Sequence, residues 1–175
     1  TRFITMALQD MGHIDFEEPF EKFRAHGLII KEGSKMSKSK GNVVNPDDYF
    51  EQYGADTVRT YLMFIGPVAE GGDWSDKGIV GIYRFFNRLW NLVEEYKAFK
   101  GNHKKLEAVR NRTIKKVTED LESLHYNTAI ASLMEYSNEF QEISPTKEQI
   151  NTLLILLAPF APHLTEELWE KLGNK

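Results

Sequence analysis

Cysteine is absent from the 175 residues, which excludes disulfide frameworks, thiolate zinc sites and cysteine nucleophiles. Long apolar runs are missing too. The longest, Leu153 to Ala158, is far short of the roughly 20 residues that a membrane-crossing helix needs, so no membrane partner is expected. No cleavable leader is evident at the N-terminus, and the chain opens on Thr1, so a protein of the cytoplasm cut from something longer is the expectation. Charge of either sign is in small excess only: 22 Lys and Arg against 26 Asp and Glu leave −4, a balance that by itself argues against a nucleic-acid partner. A hydrophobic share of 41% is enough for one sizeable core or two small ones.

The charge is unevenly spread, and the distribution reverses that first inference. Residues 1–34 carry −2, residues 35–46 carry +3 from Lys35, Lys38 and Lys40, and residues 47–76 carry −6. Residues 77–116 carry +8, and residues 117–175 carry −7. Two basic blocks lie between acidic ones, and the local field governs anion binding more than the total does.

Apolar spacing predicts a helix over Phe3–Met11, a second short helix over Pro19–His26 and a strand at Leu28–Ile30. Asn45-Pro46-Asp47-Asp48 is a helix start, with a side-chain cap, a proline at the first helical position and acids at the positive dipole end. Gly54 interrupts that helix, Asp56–Phe64 resumes it, and Ala69–Trp74 reads as a glycine-bearing loop. From Ile79 onward the pattern is helical, first to Phe99, then in stripes led by Ile114 and Val117, by Ile130 and Leu133, from Ser144 to Leu157, and over His163–Leu172. The fold class expected is mainly α: four or five antiparallel helices preceded by a small α/β portion.

Lys35-Met36-Ser37-Lys38-Ser39-Lys40-Gly41-Asn42 carries the chemistry. Three lysines alternate with hydroxyls and close on glycine, which reads as a small flexible cationic arm for a polyphosphate, with a solvated lysine-rich loop as the competing reading. Lysine is a compact point charge with three donors on a long stem, suited to phosphate oxygens. It is not a P-loop, since no G-x-x-x-x-G leads into Gly-Lys-Ser/Thr. A second candidate surface is basic. Lys77, Arg84, Arg88 and Asn91 share one helix face, and Lys97, Lys100, Lys104, Lys105, Arg110, Arg112, Lys115 and Lys116 extend it. Such a block is rewarded by counterion release from RNA phosphates. Trp90, Tyr96 and Phe99 sit among these bases at core-like helical spacing, so packing competes with base stacking as their role. For the lysines after Lys97 a solvated face competes with RNA contact. Asp56 and Arg59, three apart, read as a structural pair, and His163-x-x-Glu166 as a helix start.

Lys35 to Ser39 resembles the KMSKS signature of class I aminoacyl-tRNA synthetases. The likeness continues through Lys40-Gly41-Asn42-Val43-Val44-Asn45-Pro46 and Tyr53-Gly54-Ala55-Asp56-Thr57-Val58-Arg59, in the order of the leucine, isoleucine, valine and methionine branch. Met63-Phe64-Ile65-Gly66-Pro67, Asp73-Trp74-Ser75 and Gly81 to Trp90 are most similar to the leucyl synthetases, and Leu157 to Trp169 is shared by the branch. The resemblance covers essentially the whole chain. It implies residues 1–34 as the C-terminal edge of a Rossmann-like catalytic domain, 35–74 as the KMSKS loop with connecting helices, and 75–175 as a helical anticodon-binding domain truncated at its C-terminus.

The resemblance also implies activation of leucine by ATP with Mg2+ and transfer to tRNA(Leu). Lys38 would meet the ATP phosphates, Lys35 would be a second cation, Ser37 and Ser39 would shape the loop, and Met36 would seat it. Arg84, Arg88, Lys77 and Asn91 would face tRNA. No His-Ile-Gly-His motif is present in the sequence, and Gly12-His13-Ile14-Asp15 is not a copy of it. By this likeness the isolated chain would be a monomer without aminoacylation activity or a metal of its own. The alternatives are a synthetase of the same branch for isoleucine, valine or methionine, a stand-alone tRNA-binding helical module, and a helical scaffold without a nucleotide role.

Overall fold

The computed structural model describes residues 1–97 and 104–175. The first helix, α1 (Arg2–Asp10), is followed by an irregular stretch and then the hairpin β1 (Leu28–Lys31) and β2 (Ser34–Lys35). Asn45 caps α2 (Pro46–Tyr53) by accepting from the Asp47 N–H at 3.3 Å, with Pro46 at the first helical position as its fixed φ favours. Gly54 breaks the helix, α3 (Ala55–Phe64) follows, and β3 (Gly71–Trp74) completes a three-stranded sheet in the order β2-β1-β3. β1 pairs antiparallel with β2 and parallel with β3, in the register Leu28 to Gly71 through Lys31 to Trp74.

The remaining helices are α4 (Asp76–Glu94), α5 (Lys104–Glu122), α6 (Tyr126–Glu142), α7 (Lys147–Leu157) and α8 (Pro162–Lys171). α5 lies along α6, α7 packs on both, and α8 packs on α7 and α4. Ile79, Ile82, Phe85 and Leu89 of α4 face inward with Leu106, Val117, Ile130, Leu133, Tyr136, Leu153 and Leu157. Their 3.6-residue spacing produces one continuous apolar core. The mainly α architecture read from the sequence is therefore present, with five helices after residue 75 among the described residues. None of the described helices is long and apolar enough to cross a membrane.

Three local expectations are corrected. Residues 19–26 form no helix, and Phe20 and Phe23 stay exposed. Eight residues with no surface to pack on fall short of the roughly 12 to 15 that an isolated helix needs. Residues 71–74 are strand rather than loop. Gly71 sits at φ +79°, and a Cβ there would collide with the Leu28 carbonyl, so this glycine permits the close β1–β3 approach. The α4 helix ends at Glu94, and the expected extension as far as Phe99 lies partly outside the described residues, as do Phe99 and Lys100 themselves.

Candidate functional site: the lysine loop and the α4 face

The lysine-rich segment is folded rather than an open arm. From the edge strand β2, Met36 turns inward and packs half-buried against the core. Lys38–Lys40 form a single 3₁₀ turn, closed by Gly41 in the left-handed region at φ +66°. Asn42 holds the two ends together. Its Oδ1 accepts the Ser37 N–H at 2.8 Å, and its Nδ2 donates to Ser34 Oγ at 3.1 Å and to the Lys35 carbonyl at 3.4 Å. The Ser37 and Ser39 hydroxyls share a hydrogen bond of 2.9 Å.

Lys35, Lys38 and Lys40 are exposed, and among the described residues no carboxylate forms an ion pair with any of them. Three cations without an acidic partner among the described residues, on so short a segment, concentrate positive potential there. Sequence reading named Lys35, Met36, Ser37, Lys38 and Ser39 as candidates and placed Asn42 at the end of the segment without assigning it a role. The available signal was an amide directly after the turn-closing glycine.

Behind the loop lies a polar and aromatic knot. Tyr49 of α2 donates to Asp76 Oδ1 at 2.5 Å, and the Trp74 indole N–H donates to the same oxygen at 3.0 Å. These two donors hold the Asp76 carboxyl below its ordinary range, while burial and the bond to Asp76 push the Tyr49 hydroxyl up. Tyr61 of α3 donates to the Ser75 carbonyl at 3.0 Å and accepts the Ser75 N–H at 2.8 Å. The rings of Tyr49 and Tyr61 meet Trp74 edge-on, at 4.8 and 5.1 Å between centroids. The loop's own helix α2 is thereby joined to the first turn of α4.

A second junction ties α3 to the turn before α8. Asp56 accepts the Leu164 N–H at 2.7 Å and lies 2.9 Å from His163 Nδ1. Arg59 donates to the Pro159 carbonyl and Thr60 to the Phe160 carbonyl, both at 3.2 Å. Asp56 and Arg59 therefore do not pair with each other as their spacing suggested. Each satisfies backbone groups that the α7–α8 turn leaves open.

Lys77, Arg84, Arg88 and Asn91 are all exposed on α4, opposite the buried stripe of Ile82, Phe85, Leu89 and Val93. Among the described residues none of these three bases is ion-paired. The α5 bases differ. Lys105 lies against Glu139 and Glu142, Arg110 between Glu107 and Glu148, Lys115 by Glu119, and Lys116 on Asp120. Four bases of the +8 block are thus paired within the fold, whereas among the described residues Lys104 and Arg112 of α5 and the three bases of the α4 face are not. Trp90 and Tyr96 pack half-buried against the core, and Lys171 stands 4.7 Å above the Trp90 ring.

Two families match along the chain: tRNA synthetases class I (I, L, M and V) over residues 1–75, and the anticodon-binding domain of tRNA ligase over residues 103–175. A leucine–tRNA ligase of Dehalococcoides mccartyi is 46% identical over all of this chain and 23% of its own length. One from Thermosipho melanesiensis is 44% identical over 99% of this chain and 24% of its own. The chain thus spans about a quarter of the length of the curated relatives it matches. Among solved structures, a LeuRS of Agrobacterium radiobacter in a ternary complex with tRNA and LeuAMS superposes with a TM-score of 0.80. It is 34% identical, over 98% of this chain and 25% of that one. A Mycobacterium tuberculosis methionyl-tRNA synthetase in complex with methionyl-adenylate shares the fold at a TM-score of 0.68 and 19% identity, over 86% of this chain and 38% of that one. The chain belongs to the class I tRNA synthetases, and its homologues along its whole length are leucine–tRNA ligases.

Proposed function

We propose that this chain is the part of a leucine–tRNA ligase that carries the phosphate-binding loop and a tRNA-facing helix. The observation that carries this reading is the folded loop with exposed, unpaired Lys35, Lys38 and Lys40, in a sequence 46% identical throughout to a leucine–tRNA ligase. In the whole enzyme the leucine carboxylate attacks the α-phosphate of ATP, the bond to the pyrophosphate oxygen breaks, and pyrophosphate leaves. The leucyl group then passes from the adenylate to tRNA. Such in-line chemistry needs positioning and charge neutralisation above all.

Lys38 would neutralise phosphate charge as the leaving group departs, with Lys35 as a second cation. Ser37 and Ser39 would hold the turn, and Met36 would seat it. Mg2+ would arrive as part of the ATP substrate, since residues 35–46 offer no carboxylate to hold it. The division into 1–34, 35–74 and 75–175 belongs to the same proposal. The exposed Phe3, Ile4 and Met6 of α1 and Met11 just after it support a catalytic-domain edge that packs against further protein. The α4 face of Lys77, Arg84, Arg88 and Asn91 would meet tRNA phosphates.

The test uses the full-length ligase. Lys38→Ala slows ATP–pyrophosphate exchange about 100-fold, the scale of losing one preorganised charge contact. Its affinity for tRNA stays close to that of the unaltered enzyme. Unchanged exchange would remove Lys38 from the role.

A further inference from the structure

We propose that Asn42 is a positioning residue for the phosphate-binding lysines, acting through the backbone that carries Lys38 and not by touching ATP. The inference rests on the reading of the loop given above. Asn42 lies outside the five-residue signature, yet its amide is the group that spans the loop. One end accepts the N–H of Ser37, the residue immediately before Lys38, and the other reaches Ser34 Oγ and the Lys35 carbonyl. The two sides so joined are the edge strand β2, fixed to β1 by the Ile30–Lys35 and Lys31–Ser34 pairs, and the 3₁₀ turn of Lys38–Lys40.

The need for such a brace follows from charge. Lys38 and Lys40 lie on one turn without an acid partner among the described residues, so mutual repulsion favours opening the turn. Within the turn itself, the backbone bonds that resist opening are those from Lys40 N–H to the Ser37 carbonyl and from Gly41 N–H to the Lys38 carbonyl, at 3.1 and 3.2 Å. Asn42 adds a shorter bond at the turn's entrance, to an N–H that the turn leaves without a partner of its own. A hydrogen bond of this kind is lost with little change to the core, because the loop's packing against the core runs through Met36 and Val44. Losing it displaces the lysine stems, and a displacement of about 1 Å at a reacting centre costs on the order of 100-fold in rate.

The experiment is a double-mutant cycle in the full-length ligase, read by ATP–pyrophosphate exchange. Asn42→Ala is expected to slow exchange about 10- to 100-fold, with the thermal midpoint and tRNA affinity kept close to those of the unaltered enzyme. Adding Asn42→Ala to Lys38→Ala is expected to slow exchange less than about twofold further, because a residue acting through Lys38 has nothing left to position. Losses that multiply would overturn the proposal, as would an Asn42→Ala enzyme with normal exchange beside a slow Lys38→Ala enzyme. Normal exchange in Lys38→Ala itself overturns the phosphate reading first. Should Asn42→Ala lower the thermal midpoint, Ser34→Ala, which removes only one of the three contacts, is put through the same cycle. Multiplying losses there overturn the proposal equally.

Discussion

Replacing Asp56 by alanine tests the junction between α3 and α8. The carboxylate accepts the Leu164 N–H at 2.7 Å, one of the orphan donors in the first turn of α8, and meets His163 Nδ1 at 2.9 Å. Its side chain is only 11% exposed, whereas that of His163 is 85% exposed. The two contacts therefore differ in worth. A capping bond contributes about 0.5–2 kcal/mol, and one accepted by a charged, nearly buried group lies at about 1.5–3 kcal/mol. The exposed histidine contact adds a few tenths of a kcal/mol at most. Asp56→Ala should thus cost about 2 kcal/mol, Asp56→Asn about half of that because the amide oxygen still accepts, and His163→Ala no more than an ordinary surface change. Urea denaturation of the chain, followed by far-UV circular dichroism, measures all three at constant slope. A loss below about 0.5 kcal/mol for Asp56→Ala, or an equal loss for His163→Ala, would refute the claim that the backbone cap is what this residue supplies.

Asp120 gives a pH prediction. Burial pushes its carboxyl up, but Lys116 at 2.6 Å from both oxygens and Thr128 at 2.7 Å outweigh burial and hold it below the ordinary carboxylate range. A depressed folded-state pKa stabilises above the unfolded value, so the contribution is lost as pH falls below about 4. Denaturant midpoints of Asp120→Asn should fall less steeply over that interval than those of the unaltered chain. The contrast between α4 and α5 gives another. In tRNA titrations of the full-length ligase at rising salt, Arg84→Gln and Arg88→Gln should each reduce the slope of log affinity against log salt by about 0.7–0.9, while Lys105→Gln, paired with Glu139 and Glu142, should leave it unchanged.

The helices after residue 75 were legible because their apolar spacing and their core are the same fact: Ile82, Phe85 and Leu89 recur at the helical period and are buried on that face. The loop was legible by composition, since lysine and serine alternation survives in any conformation. What sequence could not deliver were relations between distant residues. β3 exists because β1 offers a bonding edge some 40 residues earlier, and nothing local in Gly71–Trp74 announces it. Asp56 reads as a partner for Arg59 until the α7–α8 turn, more than 100 residues away, presents its open backbone groups. Lys105 and Arg110 read as free bases of α5 until Glu139, Glu142 and Glu148 arrive from α6 and α7.

The two-residue length of β2 bears on what the edge of the sheet can recruit. It is one of the two outer strands of the described sheet, and an outer strand offers unpaired backbone groups to any passing chain. Here that edge is short, ends in the exposed Lys35 and gives way at once to a cationic turn, so a second copy approaching to extend the sheet would meet its own positive charge. The charge that would suit the loop to a polyphosphate would thus also discourage another strand from joining the edge beside it.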